Sequence, residues 1–143
     1  MTELGPEPTD QEPRALVIKA ALQAGMAPGV PVYDLDEVPG AEAGSSADPA
    51  TPPRYVWFEL SRRWVEKKRL GGWVSVPGGA LATHYHAPSV TGVRELRRRV
   101  TAVLEGQAYD LPDGDTVGPF EFEDDGAAVA RDGGWSAFDD WTY

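Results

Sequence analysis

His84 and His86 stand two residues apart in ALATHYHA, and on a strand that spacing puts both on one face. Two imidazoles on one face could begin a zinc or iron site. Such a site needs further protein ligands, yet the chain has no other histidine and no cysteine. Carboxylates would have to be brought in by the fold, so histidines facing solvent or an interface are the simpler expectation. Asp113, Asp115, Gly118 and Asp124 follow part of a calcium-loop spacing. Val117 stands where an oxygen is needed, Asp124 replaces the bidentate glutamate, and Leu111-Pro112 and PFEFE do not suit flanking helices. An acidic turn leading into a strand, with Phe120 and Phe122 inward, explains the same residues. No phosphate loop, dinucleotide fingerprint or nucleophile elbow occurs, and no serine and histidine have triad-like spacing. The chain is expected not to be an enzyme and to need no metal or cofactor.

What remains is chemistry of contact. Arg62, Arg63, Lys67, Lys68 and Arg69 form a basic run with Trp64 and Trp73 nearby. Cations interleaved with aromatics can hold single-stranded nucleic acid. The acidic remainder would repel phosphates, so a protein contact or a solvated loop is favoured. At the other end Trp135, Phe138, Trp141 and Tyr143 crowd the last nine residues, with Asp139 and Asp140 among them and Asp124 and Asp125 shortly before. Chain ends usually fray. An end this aromatic must dock on its own core, the option slightly favoured, or on a neighbour, since aromatics also suit interfaces. These two groups are the candidate subunit or partner interface.

The elements that would position them are legible in outline. Val90 to Gly106, VTGVRELRRRVTAVLEG, reads as one amphipathic helix. Val93, Leu96, Val100 and Val103 or Leu104 form its apolar stripe, with Arg94, Arg97, Arg98 and Arg99 mostly off it. Ser89 or Thr91 suits the N-cap, and Gly106 suits the left-handed position after the end. An earlier helix spans Thr9 to Ala24, with Thr9 and Glu12 at capping-box spacing. Leu16, Val17, Ala20, Ala21 and Ala24 give it one apolar side. A short strand around Val30 to Leu35, flanked by prolines, suits a sheet edge.

Residues 38–53 are small, Pro-rich and without periodicity, and read as a mobile loop. RYVWFEL at 54–60 is the best strand. Tyr55 and Trp57 oppose Val56, Phe58 and Leu60, which implies a central strand covered on both sides. Residues 61–79 read as a basic hairpin or excursion, with Pro77-Gly78 in a type II turn, returning to a strand at Ala80–Ala87. Ala108–Leu111, Phe120–Glu123 and Ala127–Arg131 are shorter strand candidates. Residues 132–143 form the aromatic end.

Composition bounds the function. At 143 residues the chain fits one domain, 1–143, large enough for a core without staples. No apolar run approaches the ~20 residues that cross a membrane, and the acidic start is unlike a secretory signal. A soluble protein made in a cytoplasm is expected. Residues 1–60 carry 3 basic and 10 acidic groups, net −7; residues 61–100 carry 9 and 2, net +7; residues 101–143 carry 1 and 11, net −10. A basic segment is flanked by two acidic ones. It can be neutralised within one chain, by the next copy, or simply by solvent.

The order of these elements resembles the tail terminator (tail completion) proteins of long, non-contractile-tailed phages, especially those infecting actinobacteria. The resemblance is carried by PRALVIKAALQAG, PVYDLDEVP and RYVWFEL, then ATHYHAPS and the helix VTGVRELRRRVTAVLEG. The acidic, aromatic ending DDGAAVARDGGWSAFDDWTY completes it. It covers most of the chain as a pattern, with 38–53 and 61–79 as variable regions.

The resemblance implies an α+β fold, a small mixed sheet with two main helices packed on it. It implies a homohexameric ring in the virion neck, assembled in the host cytoplasm. That ring would sit on the last ring of tail-tube protein, stop tube growth, meet the head-side connector and let DNA pass through its lumen. Another neck protein, such as a head–tail stopper, and a small nucleic-acid-binding module are the alternatives. Stoppers are usually more purely β.

Overall fold

The computed structural model describes residues 11–38, 53–69, 72–131 and 133–143; for 62–69 and 72–78 the backbone alone is described. Helix α1 (Gln11–Gly25) leads to a three-residue edge strand, β1 (Val32–Asp34), and one 3-10 turn, Leu35–Glu37. Two long strands follow, β2 (Tyr55–Arg69) and β3 (Gly72–Ala87), then helix α2 (Val90–Leu104). The remainder is β: β4 (Tyr109–Asp110), β5 (Thr116–Val117), β6 (Glu121–Asp125), β7 (Val129–Arg131) and β8 (Gly134–Thr142). The main sheet runs β1-β2-β3-β8-β6, with β7 also on β8, and β4 and β5 form a separate pair. β1 joins β2 in parallel and every other pairing is antiparallel, so the fold is α+β with a mixed six-stranded sheet.

Period-two alternation gives this sheet two different faces. Val56 and Phe58 of β2, Leu81, Thr83, Tyr85 and Ala87 of β3, and Ala137, Asp139 and Trp141 of β8 are buried beneath the helices. Helix α2 supplies Val93, Leu96, Val100 and Leu104, all buried, as its stripe predicts. Its start is capped by Ser89, whose Oγ accepts from Gly92 N at 3.0 Å. Gly106 follows its end at φ 69°, a backbone that favours glycine.

Several expectations need correction. The buried side of α1 is Ala15, Ile18 and Leu22, continued by Met26, while Leu16 is exposed. Those positions step by three, four and four residues; the stretch is apolar nearly all round, so more than one stripe fits it. The capping-box threonine at 9 lies outside the described residues. β2 is interior to the sheet, between β1 and β3, but no helix among the described residues covers its Tyr55 and Trp57 side. Phe120 is buried, whereas Phe122 is half exposed at the sheet margin, edge-on to Trp141.

Pro77 and Gly78 are not in a turn. They lie inside β3, paired with Trp64 and Arg63. A proline is tolerated there because β8 ends opposite Ala80, leaving this part of β3 with no second neighbouring strand among the described residues. The basic segment 61–79 is thus the continuation of the two sheet strands. The proposed loop at 38–53 lies outside the described residues except for its two end positions.

Candidate interaction surface

β2 and β3 pair in unbroken register from Tyr55 with His86 to Arg69 with Gly72. Neighbouring strands stop early: β1 pairs only to Phe58, and β8 only to Ala80. From Arg63 to Gly78 the pair is a two-stranded ribbon with no strand beside it among the described residues. Arg62–Arg69 alone would reach roughly 25 Å at about 3.3 Å per residue. This ribbon holds Arg62, Arg63, Lys67, Lys68 and Arg69, together with Trp64 and Trp73. All seven basic-run candidates are therefore brought together. Its root is fastened by the chain's end, since Gly79 and Tyr143 exchange backbone hydrogen bonds of 2.9 and 3.1 Å. The Tyr143 ring lies over Gly79, where any Cβ would meet it, and packs on Phe120 with centroids 5.2 Å apart.

The helix-free face of the sheet is the second feature. Trp57, His84 and Phe138 come into one row across β2, β3 and β8. His84 stacks on Trp57 at 3.7 Å and 5° between planes, and lies 5.8 Å from Phe138. Beside that row His86 stacks on Tyr55, and Tyr33 meets Tyr55 edge-on. His86 Nδ1 and Ser136 Oγ are 2.9 Å apart, a cross-strand bond on this open sheet surface. The two histidines share a face, as their spacing predicts, but each is occupied by its own aromatic neighbour. Among the described residues no group of three or more His, Asp or Glu could hold a metal ion.

One step towards the ribbon the row becomes acidic. Asp140 pairs with Ala82, and Ala82 with Glu59, while Asp124 lies opposite Asp140 on the other side. Burial, then the charges of Asp124 and Glu123, holds the Asp140 carboxyl above its ordinary range. Where the ribbon leaves the sheet, an open depression of about 730 Å³ is bordered by Glu12, Asp34, Glu59, Glu123, Asp124 and Asp140. No basic side chain borders it among the described residues. His84 adds little positive charge: burial lowers its pKa to about 4, although Asp140 opposes that shift.

The aromatic end is docked on its own chain. β8 is an interior strand, with Trp141 fully buried and Asp139 1% exposed. These two contact candidates therefore offer no surface to a partner. Trp135 and Tyr143 are partly buried against the core, while Phe138 remains 39% exposed. Asp124 and Asp125 are exposed on β6. Only Phe138, Asp140 and Asp124 of this group border the helix-free face.

Asp139 instead anchors a buried polar network. Tyr85 donates to its Oδ2 at 2.7 Å, Thr83 and Tyr85 hydroxyls are 2.7 Å apart, and Trp141 Nε1 donates to Thr83 at 3.1 Å. Arg97 of α2 closes the network: its Nε donates to Asp139 Oδ2 at 3.2 Å and lies 3.1 Å from Oδ1, and its Nη2 donates to Gly126 O at 2.8 Å. Burial and the Asp139 charge hold Tyr85 protonated, well above its ordinary pKa. The four arginines are expected to lie mostly off the apolar stripe, but Arg97 stands four after Val93 and three before Val100, within it.

The calcium-like acidic residues serve a turn. Asp113 Oδ1 accepts from Asp115 N at 2.9 Å between β4 and β5. No helix in the described residues is long and apolar enough to cross a membrane. No protein-family model matches this chain, and no curated protein matches it in sequence.

Proposed function

We propose that this chain is a structural virion protein, a tail terminator. It forms a homohexameric ring on the last ring of tail-tube protein, stops tube polymerisation and presents a surface to the head connector. The single observation that carries the reading is the polarity of the folded chain, a basic ribbon projecting from an acidic body. A ring of identical subunits in head-to-tail contact needs two different, complementary patches on each copy. The α+β architecture also agrees with what the resemblance implies. The acidic remainder suits a lumen through which DNA slides without adhering, because like charges repel phosphates.

The test is the mass of the purified protein with and without tail-tube protein, by light scattering and negative-stain microscopy. Rings, or caps at one end of tubes, are the expected result. A monomer indifferent to tubes would count against the proposal. One observation favours a nucleic-acid-binding module, namely aromatics on a helix-free sheet face, where bases could stack. The bordering carboxylates oppose it. Tight, salt-sensitive binding of a single-stranded oligonucleotide by a monomer, lost in Trp57→Ala, would reverse the order of the two readings.

A further inference from the structure

We infer that the helix-free sheet face is the receptor for the basic ribbon of a second copy of this chain. The inference rests on the ring reading and supplies its contact. Four observations lead to it. The face is aromatic along Trp57, His84 and Phe138 and acidic along Glu59, Asp140 and Asp124. Aromatic faces beside carboxylates suit lysine and arginine, since the ring attracts the cation, the stem packs on it and the carboxylate pairs with it. The ribbon carries five cations within the eight residues Arg62–Arg69. Finally, the register runs unbroken out of the sheet, so the ribbon is the direct continuation of β2 and β3. The occupant is the ribbon of another copy, whose cations match the carboxylates of the face.

The physical chemistry favours a partner for both surfaces. Among the described residues no strand pairs with either edge of the ribbon, and a two-stranded ribbon alone is marginal in water. Burial first, and then the charges of Asp124 and Glu123, disfavour the ionised Asp140 carboxylate, and an incoming cation would relieve that repulsion. His84 is neutral near pH 7 and does not oppose the approach. Donor and acceptor are different surfaces, so the contact is head-to-tail and closes into a ring when the rotation per subunit allows it.

The chain has no cysteine, so single cysteines report proximity cleanly. A Lys67→Cys protein is mixed with an Ala82→Cys protein under oxidising conditions. The control mixture replaces the second with Leu16→Cys, an exposed position on α1 away from the face. Disulfide-linked dimers are expected in the first mixture and not in the control. Glu59→Lys with Asp140→Lys, introduced into the Ala82→Cys protein, should weaken the association by roughly tenfold or more.

Charge exchange gives a second reading. Lys67→Glu with Arg69→Glu should abolish assembly alone, and so should the double lysine variant. Mixing the two should restore it as alternating copies. Equal trapping at positions 16 and 82, or rings that form from either reversed variant alone, would overturn the face while leaving the ring reading intact. A wild-type chain that stays monomeric with or without tail-tube protein, together with cysteine variants that stay unlinked, would overturn both.

Discussion

Arg97 and Asp139 show how much one buried pair can decide. Asp139 is nearly inaccessible and is held by Tyr85 and by the Arg97 guanidinium, which also lies 5.6 Å above the Tyr85 ring. Removing one partner of such a pair leaves a buried charge uncompensated, at a cost of about 3 kcal/mol or more. Arg97→Met is expected to lower unfolding free energy by about that amount in urea titrations. Arg97→Met with Asp139→Asn should recover part of it, because no bare charge is left. An additive double variant would show that the pair is uncoupled.

His84 makes a pH prediction at the same scale. Its pKa falls from 6.5 to about 4 through burial. Below pH 6.5 the unfolded chain takes up a proton that folded His84 refuses until about pH 4, so its contribution to stability is lost as acid is added across that window. Glu59 Oε1 lies 3.8 Å from the His84 Nε2, and the charge of Asp140 opposes the shift without cancelling it. His84→Phe keeps a ring on Trp57 and should flatten the fall in stability between pH 6.5 and 5. An unchanged slope would assign the acid sensitivity elsewhere.

The helices differ in how firmly their faces are specified. α2 has charged residues between the members of its stripe, and its four buried residues are those the period predicts. α1 is apolar nearly all round, and packing rather than periodicity selects Ile18 and Leu22 for the core. Leu96→Ala should cost about 3 kcal/mol, since a fully buried leucine leaves a cavity. Leu16→Ala should change stability by less than about 0.5 kcal/mol, because its side chain is 60% exposed. Chemical denaturation of both variants distinguishes this packing from one in which Leu16 faces the sheet. The sheet follows the same logic: β3 alternates Leu81, Thr83, Tyr85 and Ala87 inward with His84 and His86 outward, so one strand serves the core and the open face together.

Across the whole molecule, the net charge of −10 conceals a separation of charge that folding sharpens. The basic run lies on the ribbon, and the carboxylates of β2, β6 and β8 converge at its root. If copies join through these surfaces, assembly should weaken as salt rises from about 0.05 to 0.5 M, because screening shortens from above 10 Å to below 8 Å. Light scattering across that range checks it; assembly indifferent to salt would point to an apolar contact instead.

Sequence alone determined the α2 stripe, its caps, the β2 alternation, the edge position of β1 and the segregation of charge. Each depends on neighbours along the chain, where 3.6- and 2-residue periods and glycine or serine chemistry act locally. Only the tertiary structure decided the rest. It placed β8 inside the sheet, so Trp141 and Asp139 belong to the core and not to a contact surface. It drew Arg97 under the helix because Asp139, forty-two positions away, needed a cation. Among the described residues it left Trp57 and His84 without a covering helix, although apolar residues on both sides of β2 read as a strand covered twice. Such outcomes depend on which distant strands meet and on which layer runs out of helices, and no local period encodes either.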